Sequence, residues 1–583
     1  MKSIYLIFLC FLLFSAPFPL MAEQVEVTIE GLEGEVLENT KAALTIPSNI
    51  IKDNKVDTKW LKYFVDHVDE KVRTALEPFG FYDPDISISQ IQTVMGDYHM
   101  QVKVDPGKPM RVAEVSIKIK GPGANEDSLK SLVALFPIKQ GDILNHIKYE
   151  NAKGTLKAKA LSLGYVDADF SIHKILVSKK DFSSKIVLVL QTGKKYYFGE
   201  ITIEGTVDYP ALFLKRYPAF KAGEVFSYEK LGQTQLNFLN SERFEQVTVT
   251  PDRQSVEDQH IPVIIRLKPS SSKRLRFGLG YGTDTGLRFS IKYHDLNSFK
   301  SGNEIDSELI LSERLQGLNA SYILPSRKDL NSFVSFELNL KQENIDTYKT
   351  SILSFEAAKT RSIGKGRIFT LFSKLQMEKS DIASEETNSL LIIPGVRFTE
   401  RRYNDLVKPT KGYKYQVEAS GAHKSFGSDI SFLQIIVDAN TLIPLPYRFS
   451  LFTRLKAGFT ALDGSIDKLP ASLRFFAGGD RSVRGYRYQS LGPKDMEGEV
   501  IGGKDLIAGS LEIEYPILQQ WGIAAFYDAG NAFNDFSDIN IFQGVGLGIR
   551  YYTKIGAIRL DVARQIDVDN PGYRIHVNIG FEL

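Results

Sequence analysis

The chain has 583 residues, with 72 Lys and Arg against 70 Asp and Glu and a formal net charge of +2. That length exceeds what one hydrophobic core supports, so several domains are expected. The balanced charge excludes a surface built to hold a polyanion, so no nucleic-acid partner is expected. The single cysteine, Cys10, excludes an internal disulfide framework.

Residues 1–22 read as a secretory signal. Lys2 supplies the positive start, Ile4 to Phe14 the apolar core, and Ala22 a small residue at the cleavage point. The chain is therefore expected to leave the cytoplasm, losing Cys10 with the signal. No later apolar run reaches the ~18–20 residues that a membrane helix needs.

The next stretch repeats one plan three times, predicting α+β domains at 23–109, 110–194 and 195–270. Each copy opens with a strand that ends on glycine: Val25 to Gly31, Val112 to Gly121, and Phe198 to Gly205. The closing glycines are roughly 85 to 90 residues apart, a period that fits a small domain. Helical spacing follows, as in Trp60, Leu61, Phe64, Val65, Val68, Val72 and Leu76. Matching signatures end the helical part: Gly80-Phe81-Tyr82, Gly164-Tyr165 and Arg243-Phe244. Two alternating strands then close each copy.

From residue 271 onward the period changes to two. In Arg274 to Gly282, Leu275, Phe277, Leu279 and Tyr281 share one face, and the arginines and glycines share the other. The last segment alternates in the same way over eleven residues, with Tyr573, Ile575, Val577, Ile579, Phe581 and Leu583 against Arg574, His576, Asn578, Gly580 and Glu582. A strand apolar on one face and polar on the other suits a wall between lipid and water. About sixteen such segments occur, the first near Arg274, the eighth near Ser389, the tenth near Asp429 and the last near Gly572. Only a closed barrel can span lipid with strands, because an open edge leaves backbone groups unpaired. The expectation is an all-β, 16-stranded antiparallel transmembrane barrel over 271–583.

Between the eleventh and twelfth segments lies a long loop, Phe475 to Pro493, with Gly478, Gly479, Asp480, Arg481, Arg484, Gly485 and Arg487 close together. Strand parity counted from a periplasmic start puts this loop on the outer side. An arginine between flexible glycines presents a rigid five-donor fork and needs an acidic receiver. Glu512 and Asp528 lie on the inward phase of the next two strands, and Gly544, Gly546 and Gly548 leave the following wall bare. A wall without side chains admits a loop folded into the lumen. The eight histidines lack metal-ligand spacing and no GxSxG elbow occurs, so neither an enzyme, a metal site nor a cofactor is expected.

These motifs resemble the outer-membrane assembly barrels that include BamA and TamA, which carry periplasmic POTRA domains. The marks are Val483-Arg484-Gly485-Tyr486, Gly502-Gly503, Ser510-Leu511-Glu512 with Pro516, Phe526-Tyr527-Asp528-Ala529-Gly530, and the glycine run that ends at Arg550. Three repeats rather than five place the chain nearer TamA. The chain's end, Phe581-Glu582-Leu583, departs from the family's usual terminal aromatic residue. The resemblance implies a loop-docking motif at Val483, Arg484, Gly485 and Tyr486, with Glu512 and Asp528 as lumen acceptors. It also implies an outer-membrane location, insertion of autotransporters and other outer-membrane β-proteins, unfolded substrates of that class, outer-membrane lipid and a TamB-like periplasmic partner. Gly278, Gly280 and Gly580 mark the lateral seam through which a substrate strand would pair. Phospholipid delivery and a dedicated secretion pore are the alternatives that the same architecture leaves open.

Overall fold

The computed structural model describes residues 25–52, 55–92, 98–206, 208–383, 385–405, 409–553, 556–566 and 568–580. The signal segment and the terminal Phe581-Glu582-Leu583 lie outside the described residues. The chain divides into two compact units. One ends at Thr202 and takes in Phe220–Gln233 and Val249–Ile264; the other consists of Ile203–Ala219, Thr234–Thr248 and the chain from Ile265 onward.

In the first unit, one three-stranded sheet has Val25–Glu30 parallel to Tyr98–Asp105, which pairs antiparallel with Asp85–Gln92. A second sheet repeats this order with Arg111–Lys120, Ser183–Gln191 and Asp169–Ser178. Sequence order cannot give this arrangement directly: the last strand of each repeat inserts between the other two. A third sheet, whose strands are divided between the two units, is ordered Phe244–Pro251, His260–Pro269 and Tyr197–Glu204 and follows the same rule.

Two of the closing glycines, Gly31 and Gly205, have a shared mechanical reason. Gly31 has φ +88°, and a Cβ there would lie 2.1 Å from the Val104 carbonyl oxygen. Gly205 has φ +86° and would meet the Leu267 oxygen at 2.3 Å. In each case the opening strand must turn away against its partner's backbone, which only glycine permits.

The first helical run is two helices, Thr58–Asp66 and Val68–Leu76, hinged at His67. Leu61, Phe64, Val68, Val72 and Leu76 enter a core with Met100, Val102 and Val104. Trp60 falls outside this stripe and is 45% exposed, stacked edge-on to Tyr63 at 5.9 Å.

In the second unit, sixteen strands close a barrel. They are β1 Lys273–Gly282, β2 Gly286–Ser298, β3 Asn303–Ser312, β4 Leu315–Pro325, β5 Phe333–Asn344, β6 Tyr348–Gly364, β7 Arg367–Ile382, β8 Glu385–Tyr403, β9 Gly412–Ala422, β10 Phe432–Pro444, β11 Ser450–Leu462, β12 Asp505–Pro516, β13 Trp521–Phe533, β14 Phe542–Thr553, β15 Gly556–Ile566 and β16 Tyr573–Gly580. All neighbours pair antiparallel. Alternation holds through them: Leu511 and Ile513 are 54% and 45% exposed, whereas Glu512 between them is 9% exposed. Apolar outward rows with polar inward rows are what a lipid-facing wall around a polar lumen requires.

Residues 203–219 and 234–248 pack on the turns at one end of this barrel. Arg243, 2% exposed, donates Nη2 to Glu304 of β3 at 2.6 Å. Arg216 donates Nη2 to the carbonyls of Asp329 and Leu330, at 3.1 and 2.9 Å, in the β4–β5 turn.

Candidate functional site

The connection from β11 to β12 folds back into the barrel. Short bridges pair Phe475 with Gly503 and Ala477 with Leu491, giving the inbound and outbound arms a ribbon of their own. Val483 is fully buried and Tyr486 is 8% exposed, in a cluster with Phe475, Ala477, Leu491, Leu506, Ala508 and Ala532. The Tyr486 ring meets Phe542 edge-on at 5.4 Å. Gly485 has φ +100°, which directs the chain back after the loop tip.

Arg484, 4% exposed, sits at that tip. Its Nε donates to Asp528 Oδ2 at 2.7 Å, and Nη2 to Asp528 Oδ1 at 2.9 Å and Ser510 Oγ at 3.2 Å. Nη1 donates to Glu512 Oε2 at 2.7 Å and to Asp561 Oδ2 at 3.1 Å. All five donors of the guanidinium are thus used, and the Arg484 backbone N–H also donates to Asp528, at 3.0 Å. Below the plane, the Phe526 ring centroid lies 3.4 Å from the guanidinium carbon. Charge-assisted bidentate bonds and a desolvated ring face both favour arginine over lysine here.

The acceptors are held in turn. Arg550, 1% exposed, donates Nη2 to Glu512 Oε1 at 2.8 Å and Nη1 to Asp561. Ser510 Oγ donates to Asp528 Oδ1 at 2.6 Å. Strands β12, β13, β14 and β15 each contribute one charged member, so the network that holds the loop spans four neighbouring strands. The wall is bare where the loop enters: a Cβ on Gly544 would lie 2.1 Å from the Arg484 carbonyl oxygen, and one on Gly548 1.8 Å from Asp561 Oδ1.

Sequence reading singled out Arg484, Glu512 and Asp528, and the fold brings these three together. It did not assign Asp561 or Arg550 to the same network. The signal for Asp561 was present in the phase of β15, where Leu560 and Val562 face outward, 40% and 44% exposed. Its partner could be identified only once the register set Asp561 opposite Gly548, two positions from Arg550.

The seam glycines are placed differently from one another. Gly278 pairs with Ser290 of β2, Gly280 with Arg288 of β2, and Gly580 with Ala557 of β15. A Cβ on Gly280 would lie 2.7 Å from the Ile579 carbonyl oxygen, so this position backs directly on β16. Among the described residues, β1 and β16 are in register at Tyr281–Ile579 and Gly282–Asn578. The ladder extends by one backbone bond, Thr283 N–H to Val577 O at 3.1 Å. By contrast β1 pairs with β2 along its whole length, from Lys273 to Gly282.

Residues 271–583 match the model of the Omp85 superfamily domain, and residues 26–106 that of POTRA domain TamA domain 1. The outer membrane protein assembly factor BamA of Nitratidesulfovibrio vulgaris is 22% identical over 434 residues, covering 71% of this chain and 55% of that protein. BamA of Neisseria meningitidis serogroup B is 23% identical over 515 residues, covering 80% and 62%. The chain thus spans little more than half the length of these relatives. The crystal structure of BamA from Haemophilus ducreyi lacking POTRA domains 1–3 superposes with a TM-score of 0.68 at 17% identity, covering 81% of this chain and 99% of that one. The closed barrel, its inward loop and these matches give one conclusion: the chain belongs to the Omp85 superfamily, an outer-membrane β-barrel whose N-terminal POTRA domains lie in the periplasm.

Proposed function

We propose that this protein is a TamA-like assembly barrel that inserts and folds autotransporters and other outer-membrane β-proteins, working with a TamB-like partner in the periplasm. The observation that carries the reading is the seam. Every other neighbouring pair in the barrel shares a long ladder, while β1 and β16 share two registered pairs among the described residues. A weakly paired edge opens at lower cost than any other, and an opened edge presents unpaired N–H and C=O groups to an incoming strand. Resemblance of the first repeat to a POTRA domain of TamA, and three repeats in all, support the TamA-like form. In this reading Val483, Arg484, Gly485 and Tyr486 dock the loop, Glu512 and Asp528 receive it, and Gly278, Gly280 and Gly580 flank the opening.

The test is depletion of the protein followed by parallel quantification of outer-membrane β-proteins and outer-membrane phospholipids. Loss of autotransporters ahead of any change in phospholipid is the expected result. Loss of phospholipid with β-proteins intact would replace this reading with lipid delivery.

A further inference from the structure

Asp480 lies four residues before the docking arginine and takes no part in its network. It sits instead where three elements meet: its own loop, the β1–β2 turn and β16. Thr283 Oγ1 of that turn donates to Asp480 Oδ1 and Oδ2 at 3.1 and 3.3 Å. The Asp480 backbone N–H donates to Asp284 Oδ2 at 2.8 Å. His576 of β16, 3% exposed, bonds Asp480 Oδ1 through Nδ1 and accepts the Gly485 N–H at Nε2, at 3.1 Å. With Nε2 accepting, Nδ1 carries the proton and donates to Asp480. Thr283 also receives the Val577 N–H on its hydroxyl at 3.3 Å.

We propose that Thr283, Asp284, Asp480 and His576 form a clasp by which the loop holds the outer end of the seam shut, and that ionisation of Asp284 beside Asp480 releases it. This rests on the lateral-opening reading above and adds to it a device that sets when the seam parts. The clasp bonds β16 and the turn that follows β1 to one loop carboxylate, so parting β1 from β16 must break it on at least one side.

The groups facing Asp284 are Asp480 and Tyr488 of the loop, His576 of β16, and Arg314 of the β3–β4 turn, whose Nη1 donates to the Asp284 carbonyl at 3.2 Å. Burial, and then the neighbouring Asp480, push the Asp284 carboxyl up from 3.8 to about 7. A raised carboxyl favours the closed state while it keeps its proton. That advantage is complete below the ordinary value, falls as pH rises, and is gone above about 7. Between pH 5 and pH 8 the ratio of closed to open seams should therefore fall by up to roughly a hundredfold.

The experiment uses the mature protein in lipid nanodiscs, with spin labels on Leu279→Cys and Ile575→Cys. Both positions are on the outward face and are 75% and 59% exposed. Pulsed electron resonance should report a single short distance at pH 5 and growth of a longer component by pH 8. Asp284→Asn keeps an oxygen for the Asp480 N–H without the charge, and should hold the short distance at pH 8. Asp480→Asn should lengthen the distance at pH 5, because the His576 and Thr283 bonds lose their common carboxylate. A pH response unchanged by Asp284→Asn, with the seam still parting, would overturn the clasp and leave lateral opening standing. A single short distance in every variant at every pH would overturn both.

Discussion

Replacing Arg484 by alanine removes five side-chain hydrogen bonds, but the relevant quantity is what remains behind. Asp528 is fully buried, and Glu512 and Asp561 are 9% and 6% exposed. Without Arg484, Asp528 keeps the Ser510 hydroxyl and the residue-484 backbone N–H, and Glu512 and Asp561 keep Arg550. A buried carboxylate that loses its cation costs about 3–5 kcal/mol. At 1.4 kcal/mol per decade this shifts loop docking by roughly two to three and a half decades. Lysine restores the charge but not the fork: an ammonium has three donors, and cannot bond Asp528, Glu512, Asp561 and Ser510 together while lying flat on Phe526. Arg484→Lys should therefore recover only part of the loss. The assay is limited proteolysis from the cell exterior, scoring cleavage between Ser482 and Lys494. Wild type resists; Arg484→Ala and the Glu512→Gln, Asp528→Asn double variant are cut, while all three still assemble into heat-modifiable barrels. Equal protection in all three would refute the docking role.

Gly544→Ala should act from the wall side. Its new Cβ would fall 2.1 Å from the Arg484 carbonyl oxygen, a backbone atom that cannot move aside alone, so external cleavage of the loop should rise to the Arg484→Ala level while barrel insertion persists. The fragment 23–194 should be soluble and folded by circular dichroism, because its two repeats own separate buried clusters around Val68 and Val102 and around Leu144 and Leu188; a random-coil spectrum would show that they depend on the rest of the chain.

Legibility in the sequence followed the range of the forces involved. Alternation is local and repeated, so barrel strands were readable to within a few residues: the first, expected near Arg274, begins at Lys273, and the last, expected near Gly572, begins at Tyr573. The eighth strand starts at Glu385 rather than near Ser389, because Glu385–Asn388 continues the ladder with β7 beyond the apolar band, where both faces are polar and no alternation marks it. The tenth starts at Phe432 rather than near Asp429, since Asp429 is drawn off to accept the Leu390 N–H at 2.6 Å. Within the site, inward phase revealed Glu512 and Asp528 but could not rank Asp561 or His576 above other inward polar residues. Their roles depend on register across strands and on where a forty-residue connection returns, neither of which leaves a local pattern.

The most direct test of lateral opening ties the seam with a covalent bond. Cysteines at Tyr281 and Ile579, an in-register pair across β1 and β16, can be joined provided their Cα atoms lie within about 4.4–6.8 Å. Assembly of an autotransporter β-domain is then followed in proteoliposomes containing this double variant. The account predicts full activity when reduced, loss on oxidation and recovery on adding reductant; full assembly activity with the disulfide quantitatively formed would contradict it.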